Sequence, residues 1–87
     1  MKTIHKFELT VTNSQKIAVP ETAEILSAQV QNGTICLWVR VDTDDAHHFR
    51  ELRIYGTGHE IGCGNLKFID TVQLSSGSLI FHVFEVL

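Results

Sequence analysis

Ile25-Leu26-Ser27-Ala28-Gln29-Val30-Gln31-Asn32-Gly33-Thr34-Ile35-Cys36-Leu37-Trp38-Val39-Arg40-Val41 sets two strand-like runs on either side of an Asn-Gly pair. Asn and Gly accept positive φ at the two central positions of a type I′ turn, whose twist matches that of paired strands. The spacing therefore predicts a two-residue hairpin in which Gln31 faces Thr34 and Val30 faces Ile35. Carried along both strands, the same register sets Ala28 against Leu37 and Leu26 against Val39, making an apolar core face. The other face then carries Gln29 with Cys36, Ser27 with Trp38, and Ile25 with Arg40. Side chains alternate strictly along a strand, so a one-residue slip exchanges the two faces.

The pattern extends in both directions. Phe7, Leu9 and Val11 alternate with Lys6, Glu8 and Thr10, which predicts a strand over about residues 3–11. Lys16 to Val19 reads as a short strand stopped by Pro20, which cannot donate to a ladder. Residues 21–24 read as a connection or a single helical turn. After a polar loop over 42–48, strands are expected at 49–55, 67–74 and 79–86. The last of these is apolar on both sides of its pleat, so it is expected to be central or covered by a partner. Seven short strands with turn signals and no long amphipathic helix predict an all-β domain. The expected form is a small antiparallel β-sandwich or partly open barrel of six to seven strands.

Eighty-seven residues make one domain with a modest core. A hydrophobic content of 44% and a charged content of 20% fit a globular chain rather than a disordered one. The net charge of −3 argues against broad nucleic-acid binding, which needs a basic surface. No run suits a signal peptide or a membrane span, so the expectation is a cytoplasmic protein with reduced thiols and no membrane partner. Cys36 and Cys63 are too few for a disulfide scaffold.

The connection Gly56-Thr57-Gly58-His59-Glu60-Ile61-Gly62-Cys63-Gly64-Asn65 is the best sequence candidate for chemistry. Glycines let backbone approach a ligand, and their amides can cradle an anion. Its spacing matches no dinucleotide or phosphate loop, and the plain alternative is a hairpin connection that needs positive φ. If Arg50 and Arg53 converge on Tyr55, Gly56, Gly58 and His59, a phosphorylated ligand becomes a natural occupant. His59, Glu60 and Cys63 lack the ligand number and spacing of a zinc site, and no metal or other cofactor is expected. His47 and His48 after Asp42, Asp44 and Asp45 read as a solvated turn. His82, between Ile80 and Phe84, reads as a hydrogen-bonded structural histidine. Ser75, Ser76 and Ser78 have no adjacent base, and Cys36, although close to Arg40, reads as inert packing, so no catalytic residue is assigned. Trp38, Arg40, Ile25 and Cys36 compose a mixed apolar and cationic patch, a composition favoured at protein interfaces. The plainer reading of the same residues is a second core, with an oligomer or partner interface as the alternative.

Met1 to Leu9, Ala23 to Ser27, Cys36-Leu37-Trp38, Ile54-Tyr55-Gly56-Thr57-Gly58-His59 and Phe81-His82-Val83-Phe84-Glu85 resemble a family of small, uncharacterised phage- and prophage-encoded proteins. The resemblance covers nearly the whole chain, and its two most specific stretches are Ile54–His59 and Phe81–Glu85. It carries no activity. What it implies is a genomic setting in which small accessory proteins bind and inhibit host factors, defence proteins such as CRISPR components among them. The expected function is accordingly a non-enzymatic inhibitor acting in the host cytoplasm on a host protein, with a homodimer favoured. The alternatives are a sequestering protein for a phosphorylated nucleotide signal and a minor structural or assembly protein of the virion.

Overall fold

A computed structural model describes residues 1–87. It contains seven strands: β1 (Lys2–Leu9), β2 (Gln15–Pro20), β3 (Glu24–Gln31), β4 (Thr34–Asp42), β5 (His47–Gly56), β6 (Leu66–Leu74) and β7 (Leu79–Val86). A single 3₁₀ turn, Ser75–Gly77, joins the last two. The strands form two antiparallel sheets, ordered β1-β4-β3 and β2-β5-β7-β6. Every strand pair is antiparallel. The result is an all-β sandwich, a slab of 40 × 31 × 16 Å. No helix is long and apolar enough to cross a membrane.

Asn32 and Gly33 both take positive φ, 52° and 77°, as a type I′ turn requires. Gln31, Val30, Gln29, Ala28 and Ser27 pair with Thr34, Ile35, Cys36, Leu37 and Trp38, the register expected from the turn. Beyond Ser27 the expectation fails. A bulge at Leu26 moves Ile25 opposite Val39 and Glu24 opposite Arg40. One extra residue reverses the parity of everything before it. Ile25 therefore packs against the core, while Leu26 is 47% exposed.

The core lies between the sheets. Leu9, Ile35, Leu37, Val39 and Val41 from the first meet Leu52, Ile54, Val72 and Val83 from the second, with Ala28 filling the narrow position. A second bulge, at Ile69 on β6, matches the one on β3. These two strands approach each other along one margin of the sandwich, where the Ala28 N–H donates to Asp70 Oδ2 at 3.3 Å. Bulges bend their strands, and here both bent strands belong to the same margin.

Several boundaries differ from the sequence reading. β1 stops at Leu9 because Gln15 takes over pairing: its side chain accepts from the Thr10 N–H at 3.1 Å and donates to the Thr10 carbonyl at 2.7 Å. Val11 is left exposed. Pro20 pairs with His47 as the last residue of β2, which a proline can do on an edge strand. His47 and His48 thus belong to β5 rather than to the loop. The last strand, β7, is central in its sheet, between β5 and β6.

Candidate functional site

Parity along β4 sends Cys36, Trp38 and Arg40 to the outer face of the three-stranded sheet. Trp38 is half-buried between Lys6 of β1 and Ser27 of β3. Cys36 is only 1% exposed, and its thiol donates to the Thr34 carbonyl at 3.5 Å. Arg40 is exposed and ion-pairs with Glu24. Ile25 does not join them, because the bulge turns it inward. No further layer covers this face, so Trp38 is the one aromatic in a mostly polar surface of Lys6, Glu8, Ser27 and Gln29.

Arg50 and Arg53 do not converge. They are three residues apart on β5, and an odd spacing puts them on opposite faces. Arg50 points inward and binds Glu85 through two bonds, Nε to Oε2 at 2.5 Å and Nη2 to Oε1 at 2.8 Å. Its Nη1 donates to the Ala23 carbonyl at 2.6 Å. Glu85 is 6% exposed, so the pair is a largely desolvated bidentate contact. It floors a groove of about 370 Å³ between β3 and β6, flanked by Leu26, Lys67 and Phe68. Arg53 lies on the outer face, where it donates to Glu51 at 3.2 Å and to the Cys63 carbonyl at 3.2 Å. Both guanidinium groups are thus engaged by the protein itself.

The glycine-rich connection folds back onto the outer face of the four-stranded sheet. Gly58 has φ +88°, and the His59 N–H closes the turn on the Gly56 carbonyl at 3.0 Å. The His59 ring lies over Gly56, where an added Cβ would come within 2.8 Å of it. The Tyr55 hydroxyl accepts from the Gly62 N–H at 3.4 Å and from Arg53 Nη1 at 3.4 Å. Two β5 side chains therefore hold the far half of the loop. A groove of about 280 Å³ opens between the loop and the sheet, lined by Tyr55, Gly58, His59, Ile61, His82 and Phe84. His82 is held at both ring nitrogens, Nε2 by the Thr57 hydroxyl at 2.8 Å and Nδ1 by the Thr71 hydroxyl at 3.0 Å. With both nitrogens occupied it is a fixed structural ring. His59, Glu60 and Cys63 do not assemble with other side chains into a group of three metal ligands. Both cysteines are free, Cys36 buried and Cys63 exposed.

The sequence reading missed the main feature of this face. Phe68 of β6 pairs with Phe84 of β7, ring centroids 5.6 Å apart at 69°. Tyr55 of β5 meets the same ring from the other side, at 5.9 Å and 67°. The three rings run edge to face across three strands, a geometry that adds to simple burial. Exposure rises along the row from Tyr55 at 8% to Phe68 at 55%, and Ile61 of the loop is 52% exposed. Further along β5, Phe49 is 72% exposed opposite Ala18 of β2. The signal was present in β7, whose Phe84 and Val86 alternate with the inward Val83 and Glu85. Only the strand order shows what stands beside them.

The chain belongs, over residues 1–87, to the family described as Domain of unknown function (DUF7352). No curated protein and no solved structure matches it.

Proposed function

We propose that this chain is a non-enzymatic binding protein that docks a partner protein on the outer face of its four-stranded sheet and acts by covering the partner's working surface. The observation that carries the reading is the aromatic row Tyr55–Phe84–Phe68. Its exposed end lies on the sheet face that also presents Phe49 and the loop residue Ile61. Large aromatic side chains on a rigid sheet bind with little loss of rotamer freedom and dominate the energy of many interfaces. The engagement of Arg50, Arg53 and His82 by internal hydrogen bonds favours a scaffold role for them over a catalytic one. It also weighs against the capture of a phosphorylated nucleotide, for which the two arginines were the expected grip.

The sequence resemblance to phage-encoded proteins supports a host protein met in the host cytoplasm as the partner class, with a defence complex of the CRISPR type as the first candidate. Purified chain is mixed with such complexes and followed by size-exclusion chromatography. The reading expects co-migration with one of them, lost in Phe68→Glu and retained in Trp38→Ala. Co-migration that survives Phe68→Glu and fails in Trp38→Ala would move the docking surface to the other sheet. Absence of co-migration with every candidate complex counts against a defence partner.

A further inference from the structure

We infer that the free edge of β1 is a self-association site, at which a second copy of this chain adds its own β1 antiparallel and joins two three-stranded sheets into one of six strands. β1 pairs with β4 on one side and has no strand on the other. The backbone fixes which residues offer hydrogen bonds there. The Thr43 N–H donates to the Met1 carbonyl at 2.9 Å, so residue 1 turns its backbone towards the β4 side. By alternation Thr3, His5, Phe7 and Leu9 do the same. The type I′ turn gives the same parity, because Gln31 and Thr34 form the first bonded pair of the β3–β4 ladder and leave Ile35, Leu37, Val39 and Val41 to bond β1. Lys2, Ile4, Lys6 and Glu8 therefore point their N–H and C=O groups off the sheet.

Side-chain charge then selects a register. An antiparallel pair of identical strands has a two-fold axis, and outward residues must meet outward residues, so the axis passes through a residue. On Ile4 it would oppose Lys2 to Lys6, and on Lys6 it would oppose Lys6 to itself; like charges directly opposite destabilise a pair. On Phe7 it opposes Lys6 to Glu8 but pairs only the second half of each strand and runs the rest against the Thr10–Gln15 turn. On His5 it opposes Lys2 to Glu8 twice and Ile4 to the stem of Lys6 twice. That register uses nearly the whole strand and makes about eight backbone hydrogen bonds, two for each bonded pair. Ile4, 57% exposed in the single chain, is covered in this arrangement. Edge lysines normally guard against strand addition; here they reject every full-length register but one. A single strand pair is a small interface, so the dimer is reversible and depends on concentration.

The site is on the other sheet from the aromatic row, and the inference does not rest on the proposed function. Sedimentation equilibrium across a concentration series is expected to show particles of twice 9.8 kDa at the upper end. Ile4→Pro removes one outward N–H and leaves the β1–β4 ladder intact, so it is expected to be monomeric with an unchanged far-ultraviolet spectrum. Glu8→Lys is expected to weaken the dimer, and Lys2→Glu combined with Glu8→Lys to restore it. Phe68→Glu is expected to dimerise like the parent chain, which separates this site from partner docking. A parent chain that stays monomeric throughout overturns the inference, as does a dimer that persists in Ile4→Pro. Failure of the double charge exchange to restore association overturns the His5-centred register.

Discussion

Arg50 and Arg53 look interchangeable in the sequence, and the fold gives them opposite tasks. Arg50 locks Glu85 inside the sandwich, where each charge depends on the other. Removing one partner leaves an uncompensated charge in a poorly solvated place. Glu85→Ala is expected to cost about 3 kcal/mol in urea unfolding, and Arg50→Met with Glu85→Leu to recover most of it. Arg53 instead braces Glu51, Tyr55 and the loop. The Ser14 hydroxyl at 2.8 Å, and after it Arg53, hold the Glu51 carboxyl below its ordinary value. A carboxylate depressed in the folded state adds stability above its unfolded pKa and loses it as pH falls through the folded one. Glu51→Gln is therefore expected to lower stability slightly above about pH 4.5, to match the parent chain at low pH, and so to flatten the acid limb between the two. Which arginine would face inward was illegible in the sequence, because both faces of β5 carry polar residues near its start. Tyr55, Gly56, Gly58 and His59 were legible as neighbours, since one turn holds them.

At the scale of elements, the hairpin was readable because Asn32-Gly33 fixes the turn and the turn fixes the near register. Gly33 has φ +77° with open space around it, so Gly33→Ala is expected to cost about 1 kcal/mol from backbone strain alone. The bulge at Leu26 was not readable. Ile25 and Leu26 are both apolar, and either satisfies a core position on composition. Their exposures now differ, and so do the expected effects. Ile25→Asp puts a charge against Val39 and is expected to destabilise by about 3 kcal/mol, while Leu26→Asp stays within about 0.5 kcal/mol. Thermal or urea unfolding of the two variants checks this. An unbulged strand would reverse their order. The loss of Ile25 from the Trp38 patch follows from the same bulge.

At the scale of the molecule, the two-sheet architecture was legible from seven alternating runs, but strand order was not. Antiparallel neighbours in sequence pair only in β3–β4 and β6–β7; the β1–β4, β2–β5 and β5–β7 pairs span longer separations. Tyr55, Phe68 and Phe84 are far apart in the chain, so only that order reveals them as one row. The slab therefore presents two distinct surfaces, the aromatic face and the free β1 edge, which the two proposals assign to a different protein and to a second copy. Side-chain oxidation footprinting of the co-migrating complex tests the docking face most directly. The account expects Phe68 and Phe49 to lose reactivity on binding while Trp38 keeps its own. Protection of Trp38 with Phe68 still fully reactive would contradict it.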